Sequence, residues 1–413
     1  MYLNRPPRRR SSPRRILIYL VLIALFVLVL RFQDDLRRPV IPTPTATRAA
    51  QSYVAEGQAS YEAGRLRAAV EAYTQAIALE PNRADGLIAL SRILALVDRT
   101  GEAVQRAERA VQIDPESAAA HAALAMAYDW HGTWLLLHGR DAEARTHYEK
   151  AVSAAQEAIV IDASNAEAHA YLAESYMDRG NLVNAIESAQ RGVDLNPNSA
   201  DVQRAVAYVR ESQGNYLGAA EAYQAALRLD PSVPYLWLSL GRNYRILSVV
   251  SSAGFLDDAV GAFQRAIQID PGYGPAFDEL GWTYYNVQDF RQAVETLEEA
   301  VRVDPNAWSA HNHLGIAHYS NRNYEAAAEA LPRAIALMNE TFDADRYCVN
   351  ARSRACDRLV EAYYTLGLTN FYLAKCEQSY PLFEKALTLR PDEPNAVEGI
   401  RLCREAEAAT PAP

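Results

Sequence analysis

The sequence predicts an all-α protein: a superhelical solenoid of about nine helix-turn-helix repeats, preceded by one N-terminal transmembrane helix. Three observations carry that prediction. A 34-residue period runs through most of the chain, the same residue types recur at the same places within each period, and one uninterrupted apolar run stands near the N-terminus.

In chain order the apolar run comes first. Ile16 to Leu30 holds no charged residue, and Phe32 extends the run if Arg31 snorkels outward. A spanning helix needs roughly 17–25 residues, so residues 16–32 read as a transmembrane anchor. No small-residue cleavage site follows, and the flank Arg31-Phe32-Gln33-Asp34-Asp35 is poor cleavage context, which favours a retained segment over a cleaved signal. Arg5, Arg8, Arg9, Arg10, Arg14 and Arg15 precede the run, whereas Arg31, Arg37 and Arg38 follow it together with two aspartates. The positive-inside rule therefore makes residues 1–15 a basic cytoplasmic tail and puts the body outside the cytoplasm, in a bacterial-type cell membrane. Residues 33–49 form a Pro/Thr-rich linker in which Pro39, Pro42 and Pro44 favour extended polyproline II.

Charge narrows the partners. The net charge is −10, but residues 1–38 carry nine arginines against Asp34 and Asp35, which is +7, so the remainder sums to −17. An acidic body argues against nucleic acid, since phosphate binding needs a basic face.

The repeat decides the fold. A proline after an acidic or polar residue recurs at Pro81, Pro115, Pro197, Pro231, Pro271, Pro305 and Pro391, at intervals of 34, 82, 34, 40, 34 and 86. Ala163 splits the 82 into 48 and 34, and Asn339 splits the 86 into 34 and 52. The period is thus 34, with insertions of 14, 6 and 18 residues. One unit has Trp237, Leu240, Gly241 and Tyr244, then Gly254, Ala259, Phe263 and Ala266. The next has Phe277, Leu280, Gly281, Tyr284, Phe290, Ala293 and Ala300; the first has Tyr53, Gly57, Gly64, Ala69, Tyr73 and Ala76. Aromatic, leucine and tyrosine at three-residue steps line one helix face. The glycine and the later alanines let paired helices approach closely, and the proline ends one hairpin before the next. A single hairpin cannot bury its apolar face, so neighbours must stack.

This pattern resembles the tetratricopeptide-repeat (TPR) family, whose unit reads W-x2-L-G-x2-Y, then A-x3-F, then A-x4-P. The resemblance spans residues 50–393 in nine units, with a capping helix at 394–408 and a tail at 409–413. It implies a right-handed superhelix whose first helices line a concave, partner-binding face. Two units depart from the pattern: the second has Leu87 and Ser91 where aromatic and glycine are usual, and the fifth, with Gln203, Val206 and Arg210, is expected to be a looser joint.

The insertions fall near 132–149, 247–253 and 342–359. Fourteen residues are about two turns added to each helix, which predicts a long hairpin with its tip at Gly139. Leu135, Leu136 and Leu137 there cover a neighbour or present a docking knob. The third insertion holds Cys348 and Cys356, and Cys376 and Cys403 follow, so all four cysteines are candidates for local disulfides in an oxidising compartment. The stacking brings Cys376 and Cys403 together; Cys348 and Cys356 could close a loop, but on one continuous helix they would lie about 12 Å apart and could not pair. Three pairings, or buried free thiols, remain open.

No catalytic residue, cofactor site or metal site is expected. His311, His313 and His318 do not share one helix face, and His311 and His318 occupy aromatic positions of their unit, so packed core histidines are expected. Phosphate-binding loops, nucleophile elbows and zinc-protease helices do not occur. Asn339-Glu340-Thr341 matches a glycosylation acceptor. What remains is a binding surface. The concave-face residues that do not serve stacking are Tyr208, Arg242, Arg245, Trp282, Tyr285, Tyr319, Tyr364, Phe371 and Tyr372, a set suited to an extended peptide or partner helix. The family's chaperone-tail clamp is not implied, because its positions carry Gln58, Arg92, Met126, Glu174, Arg242 and Trp282. The chain therefore reads as a membrane-anchored protein-interaction scaffold, with a substrate-recruiting subunit of an envelope enzyme or glycan or polymer export complex as the alternative.

Overall fold

The computed structural model describes residues 12–36, 48–251, 254–349 and 353–409. The residues divide into two compact units, Met1–Arg48 and Ala49–Pro413. In the first unit, α1 (Pro13–Leu36) contains a stretch, Pro13–Arg31, of mean hydropathy 2.3 that is long and apolar enough to cross a membrane. The arginines before residue 12 and most of the Pro/Thr-rich linker lie outside the described residues.

The second unit is all-helical among the described residues. Nine antiparallel hairpins follow one another: α2 (Ala50–Glu62) with α3 (Leu66–Leu79), α4 (Ala84–Leu96) with α5 (Thr100–Ile113), α6 (Ala118–Leu137) with α7 (Asp141–Ile161), α8 (Ala166–Asp178) with α9 (Leu182–Leu195), α10 (Ala200–Ser212) with α11 (Tyr216–Leu229), α12 (Pro234–Val250) with α13 (Phe255–Ile269), α14 (Gly274–Asn286) with α15 (Phe290–Val303), α16 (Trp308–Ser320) with α17 (Tyr324–Phe342), and α19 (Arg354–Tyr372) with α20 (Cys376–Leu389). The short α18 (Ala344–Tyr347) interrupts the last step, and α21 (Pro394–Ala409) packs on α19 and α20 to close the stack. This is the solenoid that the 34-residue period predicts.

Each motif position has one physical task. The glycine of the first helix faces the large residue of the second: a Cβ on Gly241 would lie 2.6 Å from Phe263, on Gly281 2.6 Å from Leu297, and on Gly315 2.5 Å from Leu331. Phe263, Leu297 and Leu331 are fully buried, each contributing on the order of 1.5–3 kcal/mol. Where Ser91 replaces the glycine, its Oγ donates to the carbonyl of Ala103 at 2.8 Å, so the close approach is kept by a hydrogen bond. Between hairpins the acidic residue before the proline, or before Ala163 in the unit that lacks it, closes a small turn with its side chain. Asp162, Asp230, Asp270 and Asp304 each accept, through Oδ1, the backbone N–H two residues on. The aromatic position does more than pack: Trp237 Nε1 donates to the carbonyl of Pro231 at 3.0 Å, and His121 and His311 bond the carbonyls of Pro115 and Pro305 at 2.9 and 3.1 Å.

The fifth unit is not a loose joint. Gln203 Nε2 donates to the carbonyl of Pro197 at 2.8 Å, the same bond Trp237 makes, and Arg210 donates to the carbonyl of Gly218 at 3.0 Å. Polar side chains replace the usual apolar ones there and bond backbone carbonyls.

The helices α6 and α7 run to 20 and 21 residues and turn at Gly139, whose φ of 66° suits glycine. Leu135 is buried there, while Leu136 and Leu137 are exposed. After α17 the chain breaks at Asp343, in the left-handed region, and α18 ends before Cys348 while Cys356 lies on α19, so the two do not share a helix; their Cα atoms lie 5.3 Å apart and the sulfurs are bonded. Cys376 and Cys403 form a second disulfide joining α20 to α21. Asn339 already accepts the backbone N–H of Asp345 and donates to the carbonyl of Ile335.

Candidate functional site: the inner face of the solenoid

The first helices of the hairpins, α2, α4, α6, α8, α10 and α12, converge on the inside of the array. Here the solenoid winds back on itself. Tyr61 on α2 donates to Asp230 Oδ2 at 2.7 Å, and Arg67 on α3 donates to the carbonyl of Gly272 at 2.7 Å. Arg92 on α4 pairs with Asp201 on α10, and the rings of Trp130 on α6 and Tyr235 on α12 meet at 5.0 Å. The bore between distant repeats is therefore bridged by the chain's own side chains.

Arg204 sits at the centre of this arrangement. It is buried, lies 3.1 Å from Glu174 and 3.5 Å from Asp201, and stacks its guanidinium over Trp130 at 5.0 Å and Tyr171 at 5.7 Å. Burial pushes the Glu174 carboxyl up to about 7 against the pull of Arg204. For Asp201 burial acts the same way, but Arg92 and Arg204 together hold it below the usual carboxylate range. On either side of Arg204 the bore widens. One chamber of about 370 Å³ is lined by Gln58, Tyr61, Arg92, Met126 and Asp201 among others. The other, of about 290 Å³, is lined by Asp129, Trp130, Glu174, Asp178, Tyr208, Tyr235 and Arg242 among others.

The later first helices carry an aromatic floor. Trp282 stacks on Tyr285 at 4.5 Å and on His313 at 4.2 Å, with the Arg358 guanidinium 4.6 Å over its ring. His313 Nδ1 lies 2.7 Å from Asp278 Oδ1. Tyr372 stacks on Tyr324 at 4.7 Å and meets Tyr319 and Phe371. Tyr372 is 51% exposed, so this end of the floor faces solvent.

A period of 34, glycine against a large side chain in most hairpins and an aromatic-rich inner face describe one family, and profiles described as tetratricopeptide repeat match residues 60–127, 136–200, 204–274, 279–339 and 360–393. The chain belongs to the tetratricopeptide-repeat family. Its TPR array resembles the APC/C hetero-tetramer Cut9–Hcn1, at 14% identity and a TM-score of 0.54 over 91% of this chain and 81% of that one. It also resembles the human IFIT1 dimer with PPP-AAAA, at 17% identity and a TM-score of 0.54 over 83% of this chain and 84% of that one. At such identities the likeness concerns the fold. No curated protein matches the chain.

Within the TPR array the nine residues singled out from sequence fall into separate places. Tyr208 lines the smaller chamber and donates to Asp178. Arg242 lines it too but, with Arg245, is tied to Glu279 at 2.7 and 3.1 Å. Trp282, Tyr285, Tyr319, Phe371 and Tyr372 share the aromatic floor, and Tyr364 packs half-buried in the C-terminal core. The clamp positions Gln58, Arg92 and Met126 line one chamber and Glu174 and Arg242 the other. Sequence reasoning missed Asp129, Trp130, Arg204 and Tyr235. Their only sequence signal was charge or aromaticity at inner-face positions, and their partners come from repeats far along the chain. Among the described residues no three or more His, Cys, Asp or Glu side chains are grouped to hold a metal, and His318 is buried in the core.

Proposed function

We propose that this chain is a membrane-anchored scaffold whose TPR array recruits protein partners outside the cytoplasm through the inner face of its later repeats. The observation that carries this reading is the aromatic floor from Trp282 to Tyr372, because tetratricopeptide arrays bind protein partners and the earlier bore is divided into small chambers by its own ion pairs. Large, stiff aromatic rings around a few arginines are the composition of binding hot spots. The apolar Pro13–Arg31 helix supports anchoring, and its arginine-rich N-terminal flank supports a cytoplasmic N-terminus. Two disulfides support an oxidising side for the array.

Crosslinking in intact cells followed by mass spectrometry tests the reading. The full chain is expected to trap a defined partner that Trp282→Ala with Tyr285→Ala loses, while Leu136→Ser on the long hairpin keeps it. An unchanged partner set in the double variant would overturn the assignment of the surface. Labelling of an introduced cysteine by an impermeant reagent checks the side of the membrane, and protection in intact cells would overturn the topology.

A further inference from the structure

The smaller chamber contains an imbalance that the scaffold reading does not use. Its two cations are already committed: Arg204 to Glu174 and Asp201, and Arg242 to Glu279. Asp129 and Asp178 line the same space; Arg204 attracts Asp129 from a distance, but neither arginine of the chamber is ion-paired with either aspartate. Asp178 accepts from the Tyr208 hydroxyl, and from Thr133 at 3.4 Å. Asp129 is 3% exposed, and its Oδ1 has no hydrogen-bond partner. An orphaned carboxylate oxygen buried in a chamber is costly to leave unmet. Burial pushes both carboxyls upward, Asp178 and Glu174 push Asp129 further, and Asp129 and Asp178 bond to each other through a shared proton that an ammonium group can replace.

We propose that this chamber binds a compact organic cation, an alkylammonium group held between the carboxylates of Asp129 and Asp178 and the rings of Trp130, Tyr208 and Tyr235. Carboxylates supply charge-assisted hydrogen bonds and aromatic faces attract the cation by their quadrupole. A volume of about 290 Å³ suits a small amine rather than a folded segment. The lining excludes phosphates and carboxylic acids by charge, and its carboxylates are not grouped for a metal. The extended end of α6 completes the wall: Thr133, Trp134 and Leu137 lie in the turns that first helices of 13 residues lack, and Leu137 is exposed at the rim. The fourteen-residue insertion thereby acquires a purpose.

The group belongs either to a free amine or to a lysine side chain offered by a partner. Titrating the full chain in detergent micelles with 1,4-diaminobutane and with Nα-acetyl-lysine methylamide, followed by tryptophan fluorescence, distinguishes these: tighter binding by the diamine assigns a free amine, and tighter binding by the lysine derivative assigns a side chain. Saturable binding is expected, about tenfold or more weaker in Asp129→Asn and in Asp178→Asn, the loss of one charge-assisted contact. Glu221→Gln, on the outer α11, is expected to bind as the wild type does. Asp129→Asn preserves shape and relieves the repulsion between Asp129 and the carboxylates of Asp178 and Glu174, so native circular dichroism is expected and a binding loss is not an unfolding effect. The proposal is overturned if neither amine binds saturably, if both asparagine variants bind as tightly as the wild type, or if calcium chloride binds at these residues and the amines do not.

Discussion

Two glycines within helices of adjacent repeats should respond to the same substitution with opposite sign. At Gly281 an added Cβ would lie 2.6 Å from Leu297 Cγ, 2.9 Å from its Cδ2 and 3.3 Å from the carbonyl of Ala293. The first is the stem of a fully buried side chain and the last is backbone, so neither retreats cheaply. Overpacking of this kind costs about 1–3 kcal/mol, and the better helix propensity of alanine returns about 1 kcal/mol. With contacts this short the upper part of the range applies, leaving Gly281→Ala about 1–2 kcal/mol less stable. Gly261 is exposed within α13 with nothing within 4 Å of its Cβ position, so Gly261→Ala gains about 1 kcal/mol. Urea denaturation of the Ala49–Pro413 unit, read by far-ultraviolet circular dichroism, separates the two. Equal signs would refute the claim that the motif glycine exists for helix approach. Adding Leu297→Ala to Gly281→Ala sharpens the test: the new methyl fills part of the vacated space, so the double variant should lose at least ~1 kcal/mol less than the sum of the singles.

Other outcomes follow from the bore and the C-terminal staples. Arg204→Met leaves Glu174 and Asp201 buried beside no guanidinium from α10 and should cost about 3–5 kcal/mol. Adding Glu174→Met should recover part of that, measured by the same denaturation. Because burial raises the Glu174 carboxyl to about 7 in the folded chain, the native state holds a proton that the unfolded state has released. Its contribution therefore favours folding at low pH and is lost as pH rises to about 7, so the wild type should lose roughly 3 kcal/mol relative to Glu174→Gln between about pH 4.5 and pH 8. A stability difference that does not change with pH would contradict this. Reducing the Cys376–Cys403 bond, which spans 27 residues, should remove about 3.5 kcal/mol of chain-entropy stabilisation. Hydrogen exchange in α21 should accelerate before that in α14.

The sequence made the repeats legible because every unit stacks on a copy of itself. Leu280, Gly281 and Leu297 meet the same kind of neighbour as Leu240, Gly241 and Phe263, so spacing alone reports the contact. Even the departures at Ser91 and Gln203 solve the local problem set by their position. The bridged bore was illegible for the opposite reason. Whether Arg92 reaches Asp201 depends on small rotations accumulated over the intervening repeats, and no local pattern encodes that sum. Arg204 consequently looked like one more polar residue on an unusual helix. The turn residues Asp98, Gln288, Arg322 and Ala374 hid likewise, since they adopt a positive φ where other units place glycine.

Tyr61 with Asp230, Arg92 with Asp201 and Arg67 with Gly272 join residues 169, 109 and 205 positions apart. An ordinary solenoid behaves as a spring, whose repeats melt from either end and stretch independently under load. These bonds fasten one coil to the next. The opening repeats cannot fray without also releasing the fifth and sixth, and the raised contact order should slow the folding of the array relative to an open one of equal length. Pulled from its N-terminal end, the array should yield in one abrupt step across its first half, while the later repeats retain the compliance of a free coil.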